Sequence, residues 1–355
     1  MTSLERMQAV FAGHPTDIPA VAPHGYGFYK FQFAGLAKDF DDQARCLAMT
    51  GRARAEVEFR FYERFQPDWI YLETGPFTHS SDGSRRLADG QLLAALRQLD
   101  SEAAIDDFVD AYMPSADEFL DSDIFSHVPD VVERYGRDVF IALTYSAPSN
   151  YIFAPDGLLG FEAGLMALAE KPGMVKYLLE RCYAANVEFD RALAQTGVHA
   201  HVSGEAYLAA DLVSPATYRE VFFEAQRHYY AAAEAQGVIP ILCFWGDVGP
   251  LIGDINHLQI GGLMMDESKK GFVLDVGEIR RELRPEIVLF GNLDSVGTLL
   301  QGTPRDVTNA TLAQLDAATA ANHGPFVTRN GSPFCPDTPP ASIDAMISAA
   351  RGYRG

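Results

Sequence analysis

Basic residues are the first thing this chain is short of: 28 Lys and Arg stand against 48 Asp and Glu, a formal net charge of -20. So acidic a surface is repelled at long range by nucleic acid and by an anionic membrane, so neither is expected as a partner. Cysteine is scarce as well. The four thiols, Cys46, Cys182, Cys243 and Cys335, are scattered with no close pairing, which excludes a disulfide framework and makes a reducing, cytoplasmic setting the expectation. No run approaches the roughly 20 apolar residues of a membrane-spanning helix, and Met1 to Asp17 lacks the basic patch and apolar stretch of an export signal. There is no G-x-G-x-x-G after a strand, no phosphate-binding G-x-x-x-x-G-K loop and no G-x-S-x-G elbow, which sets aside nucleotide-dependent and serine-hydrolase chemistry.

What is present is enough apolar material for one large core: 48% of 355 residues are hydrophobic and 21% charged. No linker divides the chain, so residues 1–355 are expected to form one domain. Short apolar runs alternate with longer amphipathic segments, the signature of repeated βα units. Eight runs read as strands: 17–23, 68–73, 139–145, 198–204, 238–244, 261–267, 287–292 and 325–331. Eight is the number that closes a parallel barrel, so the expected fold class is α/β, a (β/α)8 TIM barrel. Between the strands, Ser214 and Pro215 open a helix that closes on Gly237, and Thr303 with Pro304 opens another.

In such a barrel the loops at the C-terminal ends of the strands carry the chemistry. The last third of the chain delivers three of them in succession: Pro240 to Ile255, Val288 to Pro304 and Arg329 to Pro340. His199 and His201 share one face of their strand, with Glu205 at its C-terminal end. A lumen-facing His201 beside Glu205 makes an acid/base pair; a face turned to the helices makes His201 a hydrogen-bonded structural residue. Asp247 and Asn292 bind substrate or cap the helices that follow them. Tyr145 and Asn150 are placed at the mouth. Tyr26, Phe28, Tyr29, Phe31 and Phe33 crowd a segment spanning about 20–45, too densely for one helix or strand face, and read as an aromatic lid near the mouth or as packing at its open end.

The order of segments resembles the uroporphyrinogen decarboxylase superfamily, which holds the decarboxylases and the cobalamin-linked methyltransferases. The resemblance rests on Gly13 to Pro19 (GHPTDIP), Pro67 to Glu73, Leu212 to Phe222, Pro240 to Asp247, Leu289 to Val307 and Pro336 to Arg351. It implies a uroporphyrinogen decarboxylase-like (β/α)8 barrel. The decarboxylases resemble one another in an arginine-rich N-terminal loop that neutralises a polycarboxylate; the matching stretch here offers only Lys30 and Lys38. Their essential aspartate after the second strand meets Glu73, Thr74 and Gly75 instead. The methyltransferases resemble one another in a zinc site of His-x-Cys and a distant Cys; laid on this chain, those places hold Cys243, Trp245 and Ser332, with Cys335 three residues on and Glu267 where some relatives offer a carboxylate.

Two readings of these residues follow. In one, Cys243, Glu267 and Cys335 form a rearranged metal site with zinc as its ion; in the other, Cys243 is a buried strand cysteine and Cys335 a loop thiol. The resemblance implies a corrinoid-linked methyltransferase that moves a methyl group between a small methyl donor or acceptor and cobalamin supplied by a separate corrinoid protein. The aromatic segment suits a methoxylated aromatic, with O-demethylation as the reaction. Glu73, His201, Glu205 and Asp247 are the candidate catalytic residues, and Tyr26, Phe28, Tyr29, Tyr145, Asn150, Trp245 and Asn292 the candidate substrate contacts. A decarboxylase and a non-catalytic ligand-binding barrel stand as alternatives. A monomer or homodimer is expected. No corrinoid module is expected in the chain itself, because the nearest string to its Asp-x-His-x-x-Gly mark, Asp254 to His257, has the wrong spacing.

Overall fold

The computed structural model describes residues 1–38, 42, 45–46, 48–75, 90–321 and 323–354. Parts of the aromatic segment, residues 39–41, 43 and 44, therefore lie outside the described residues. Seven parallel strands form one sheet in chain order: β1 (Trp69–Glu73), β2 (Phe140–Ser146), β3 (Ala200–Glu205), β4 (Ile239–Phe244), β5 (Gly262–Met265), β6 (Val288–Phe290) and β7 (Phe326–Val327). All seven coincide with runs expected as strands.

The first expected strand, 17–23, is corrected: it makes a single parallel bridge, Val21 to Thr328. Its backbone still lies between β7 and β1, with Ala22 N donating to Thr328 O and Asp68 N donating to Val21 O, at 2.9 and 2.8 Å. Pro19 and Pro23 have no N–H to give a ladder, which limits pairing to the residues between them.

The strands are buried on both faces, as parallel sheets covered by helices must be. Alternation sorts their side chains into two layers. Trp69, Tyr71, Ala142, Val202, Cys243 and Phe290 turn to one side and pack with Ala20 and Ala22 as the inner core. Ile70, Leu72, Ile141 and Leu143 turn to the other, under helices. So do Leu242, Phe244 and Leu289.

Helix starts follow the expected caps. Ser214 Oγ accepts from Thr217 N at 3.1 Å with Pro215 at the first position. Thr303 and Asp306 cap each other, Asp306 N donating to Thr303 Oγ1 at 3.3 Å and Thr303 N to Asp306 Oδ2 at 2.9 Å. The Ser214 helix is not continuous, because Tyr218–Phe222 forms a π turn before the α-helix Phe223–Glu234. That wider turn places the Tyr218 hydroxyl on Gln226 Oε1 at 2.6 Å.

Candidate active site at the strand C-termini

The C-terminal ends of β1 to β4 surround a cavity of about 390 Å³, a size suited to a small molecule. Glu73, Thr144, Ser146, Gly204 and Trp245 bring it the strand ends, Asn150 the short helix after β2, and Tyr26, Tyr145 and Tyr207 its aromatic walls. Five expected residues thus come together: Tyr26, Glu73, Tyr145, Asn150 and Trp245. Asn150 is fixed by donating to Gly204 O at 2.7 Å and accepting from Ala206 N at 2.9 Å. Gly204 has no side chain for a reason: a Cβ there would stand 2.8 Å from the Trp245 ring. Glu73 Oε2 pairs with Arg54 Nη2 at 3.3 Å, and Oε1 accepts from Gly27 N, so one carboxylate ties the aromatic segment to β1. Next to it Lys30 Nζ pairs with Glu58 Oε2 at 2.6 Å, both almost wholly buried. Burial, then Glu73, raises the Tyr26 hydroxyl above its ordinary value, so it keeps its proton.

The remaining expected residues are elsewhere. Phe28 and Tyr29 begin the helix Phe28–Phe33 behind the mouth; Phe28 is buried, and the Tyr29 hydroxyl donates to Thr338 O at 2.9 Å. Asn292 faces a second cavity, of about 450 Å³, on the helix side of β6, where its Nδ2 donates to Leu274 O and Asp266 O. Asp247 accepts from Gly249 N at 3.1 Å, a local turn bond one residue ahead of the N-cap Val248, and burial raises its carboxyl from the ordinary value.

His201 and Glu205 are corrected as an acid/base pair at the lumen. They lie on the face of β3 opposite Val202, against the helices. His201 Nδ1 contacts Asp190 Oδ1 at 2.6 Å and the Tyr229 hydroxyl at 3.2 Å. Glu205 accepts from the Ser149 hydroxyl, from the Tyr183 hydroxyl at 2.5 Å and from Gln226 Nε2 at 2.7 Å. Both are buried, and neither lines the cavity.

The metal set is corrected too. Among the described residues no three His, Cys, Asp or Glu side chains gather as a metal cluster. Cys243 faces the inner core, where Arg329 Nη2 lies 3.9 Å from its sulfur and burial pushes the thiol up to about 11. Glu267 Oε2 is taken by Ser295 N and Ser332 N, at 3.0 and 3.1 Å. The Cys243 thiol beside a guanidinium and a Glu267 oxygen already held by two amides are not brought together as a zinc ligand set among the described residues.

Sequence reasoning missed the residues beneath the cavity. His24 and Arg329 are fully buried and in contact, Arg329 Nη2 donating to His24 Nδ1. Burial, and then Arg329, hold the imidazole well below its usual value, so it is neutral. The signal was period-2 alternation: His24 continues Ala20 and Ala22, and Arg329 continues Val327, all inward positions.

A profile of the uroporphyrinogen decarboxylase (URO-D) family matches residues 150–353, more than half of the chain. The chain belongs to that family. Within it, the methylcobamide:CoM methyltransferase MtaA of Methanosarcina barkeri is 24% identical over 223 residues, covering 63% of this chain and 61% of the relative. The uroporphyrinogen decarboxylase of Chlorobaculum tepidum is 26% identical over 140 residues, covering 39% of this chain and 38% of the relative. The longer match puts the chain nearer the methyltransferase branch, as the sequence suggested. The chain spans about 61% of the length of the methyltransferase relatives it matches. A solved methyltransferase from Methanosarcina mazei superposes with a TM-score of 0.74 over 99% of this chain and 98% of that one, at 16% identity, which speaks to the fold.

Proposed function

We propose that this URO-D family chain is a methyltransferase of the cobalamin-linked type, moving a methyl group between a small molecule in the cavity and a corrinoid carried by a partner protein. The observation that carries it is the cavity itself: about 390 Å³, walled by Tyr26, Tyr145, Tyr207 and Trp245, with no Lys or Arg among its described lining residues. That space suits an aromatic ring and not a polycarboxylate macrocycle, and a corrin ring would have to be presented from outside it. The names of the methylcobamide relatives support the same reading. A bound corrinoid would supply the cobalt centre that accepts or donates the methyl group.

What this chain's residues do is bind and orient. The stacked walls hold the ring, and the protonated Tyr26 hydroxyl is a donor for an ether oxygen that becomes negative as its methyl leaves. Glu73, held by Arg54 and the Gly27 amide, fixes the segment that carries Tyr26 and is not free to ligate. The same family reading treats the seven strands as a (β/α)8 barrel, with residues 20–22 as the eighth stave; the Val21 to Thr328 bridge and the Asp68 N to Val21 O bond support it. The test is to mix the protein with a reduced corrinoid carrier and a panel of methyl ethers, following methylcobalamin by its absorbance. Methylcobalamin with any donor is the expected result. Its absence, with carbon dioxide released from carboxylated substrates, would turn the assignment to a decarboxylase.

A further inference from the structure

Arg329 is the one arginine among the inward side chains of the described strands and their extensions, and it is fully buried. No carboxylate oxygen is paired with it. Its Nη1 donates to Met265 O at 3.2 Å and its Nη2 to His24 Nδ1, while its Nε has no partner. Asp266 and Glu267 are the carboxylates that act on it through space. Both are engaged elsewhere, Asp266 with Lys269, the Ser332 hydroxyl and the Gly246 amide, Glu267 with two backbone amides. The same His24 Nδ1 lies 3.2 Å from Gly331 O, which can only accept, whereas the guanidinium can only donate, so the two contacts compete for that atom and do not fix the tautomer. His24 Nε2 is buried with no partner. Arg329 Nε is therefore an unspent cationic N–H beside an unpartnered imidazole nitrogen. Leaving either unmet is costly, and a buried charge most of all.

Tyr26 stands between the cavity and this pair. Its ring lines the cavity and stands 5.9 Å from the His24 ring and 6.2 Å from the Tyr71 ring, centroid to centroid. Tyr26 sits between Gly25 and Gly27, the latter at φ +64, so the backbone on either side carries no side chain to hold the ring in place.

We propose that the lumen beneath Tyr26 is an anion subsite, in which Arg329, beside His24, takes the carboxylate of an aromatic acid whose ring occupies the cavity above. The inference rests on the reading of this cavity as the substrate site, and narrows its substrate class to carboxylated aromatics. Arg329 supplies the charge and its unpartnered Nε the donor. An internal cation offsets the long-range repulsion that a chain of net charge -20 exerts on such a ligand.

The experiment is calorimetric binding of matched pairs, benzoate against benzamide and 4-methoxybenzoate against 4-methoxybenzamide, to the intact chain without any corrinoid. The acids should bind at least about tenfold more tightly than the amides, as a charge-assisted bond gives, and Arg329→Met should erase the preference while the amides bind as before. In the wild-type protein the acids should also shift the His24 ring NMR signals. Equal binding of acid and amide, no binding of either acid, or a preference that survives Arg329→Met would each overturn the subsite and leave its donors to buried water. Because the wild-type comparison needs no variant, poor folding of Arg329→Met does not spare the idea. Because it needs no methyl transfer, an acid preference without methylcobalamin would sink the proposed reaction and not the subsite.

Discussion

Glu205 occupies a strand position whose neighbours on the same face are covered by helices, and three donors close on its two oxygens. Burial nonetheless outweighs them and raises its carboxyl to about 7. The folded value lies above the unfolded one, so the stability Glu205 contributes is complete below its ordinary carboxylate range and is lost as the pH rises through about 7. Glu205→Gln keeps the shape and cannot ionise. Relative to wild type it should gain about 2–3 kcal/mol between about pH 5 and pH 8, read from denaturant midpoints across that range; parallel curves would refute the assignment. Lys30 and Glu58 make the opposite case, a pair that is costly to break and not to replace. Lys30→Met should cost about 3–5 kcal/mol because it strands a buried carboxylate, and Lys30→Met with Glu58→Leu should recover most of that. A double variant no more stable than the single would show that the pair contributes through its charge.

At the scale of the element, the loop after β4 depends on a backbone that only glycine adopts easily. Gly246 has φ +97, and a Cβ there would lie 2.5 Å from Ala209 Cβ and 2.7 Å from Asp211 Oδ1. Gly246→Ala should destabilise by about 1–3 kcal/mol and move Trp245, which borders the cavity. With two tryptophans in the chain and Trp69 fully buried, the shift should appear in the emission of the exposed-side indole; an unchanged spectrum would mean that the loop absorbs the strain elsewhere. The strands themselves were legible because parallel strands buried on both faces leave continuous apolar runs. The segment 17–23 carries the same hydrophobicity and falls short of a strand because its prolines remove the donors a ladder needs. The π turn at Tyr218–Phe222 left no mark in the pattern, since one extra residue in a turn barely disturbs a helical apolar stripe.

For the whole molecule, alternation along the strands points to a rim and not to a side. Tyr26, Glu73, Tyr145, Asn150 and Trp245 line one cavity because residues at strand ends and in the aromatic segment meet there. His201 and Glu205 were misplaced because alternation assigns residues to a shared face without saying which face is the lumen, and a strand covered on both sides gives no polar cue. The same blindness hid Arg329 and His24. Among the described residues the mouth is lopsided: the end of β1 and the loops after β2 to β4 line a cavity, while those after β5 to β7 are knitted together through Asp266, Glu267, Ser295 and Ser332. That asymmetry predicts where a ligand acts. On adding 4-methoxybenzoate, amide hydrogen exchange should slow in segments 144–151 and 204–207, and remain unchanged across 292–298 and 310–317, which border the second cavity behind β6. Protection confined to the latter two segments would move the functional site to the helix side of the sheet, and the aromatic walls around Trp245 would then be packing alone.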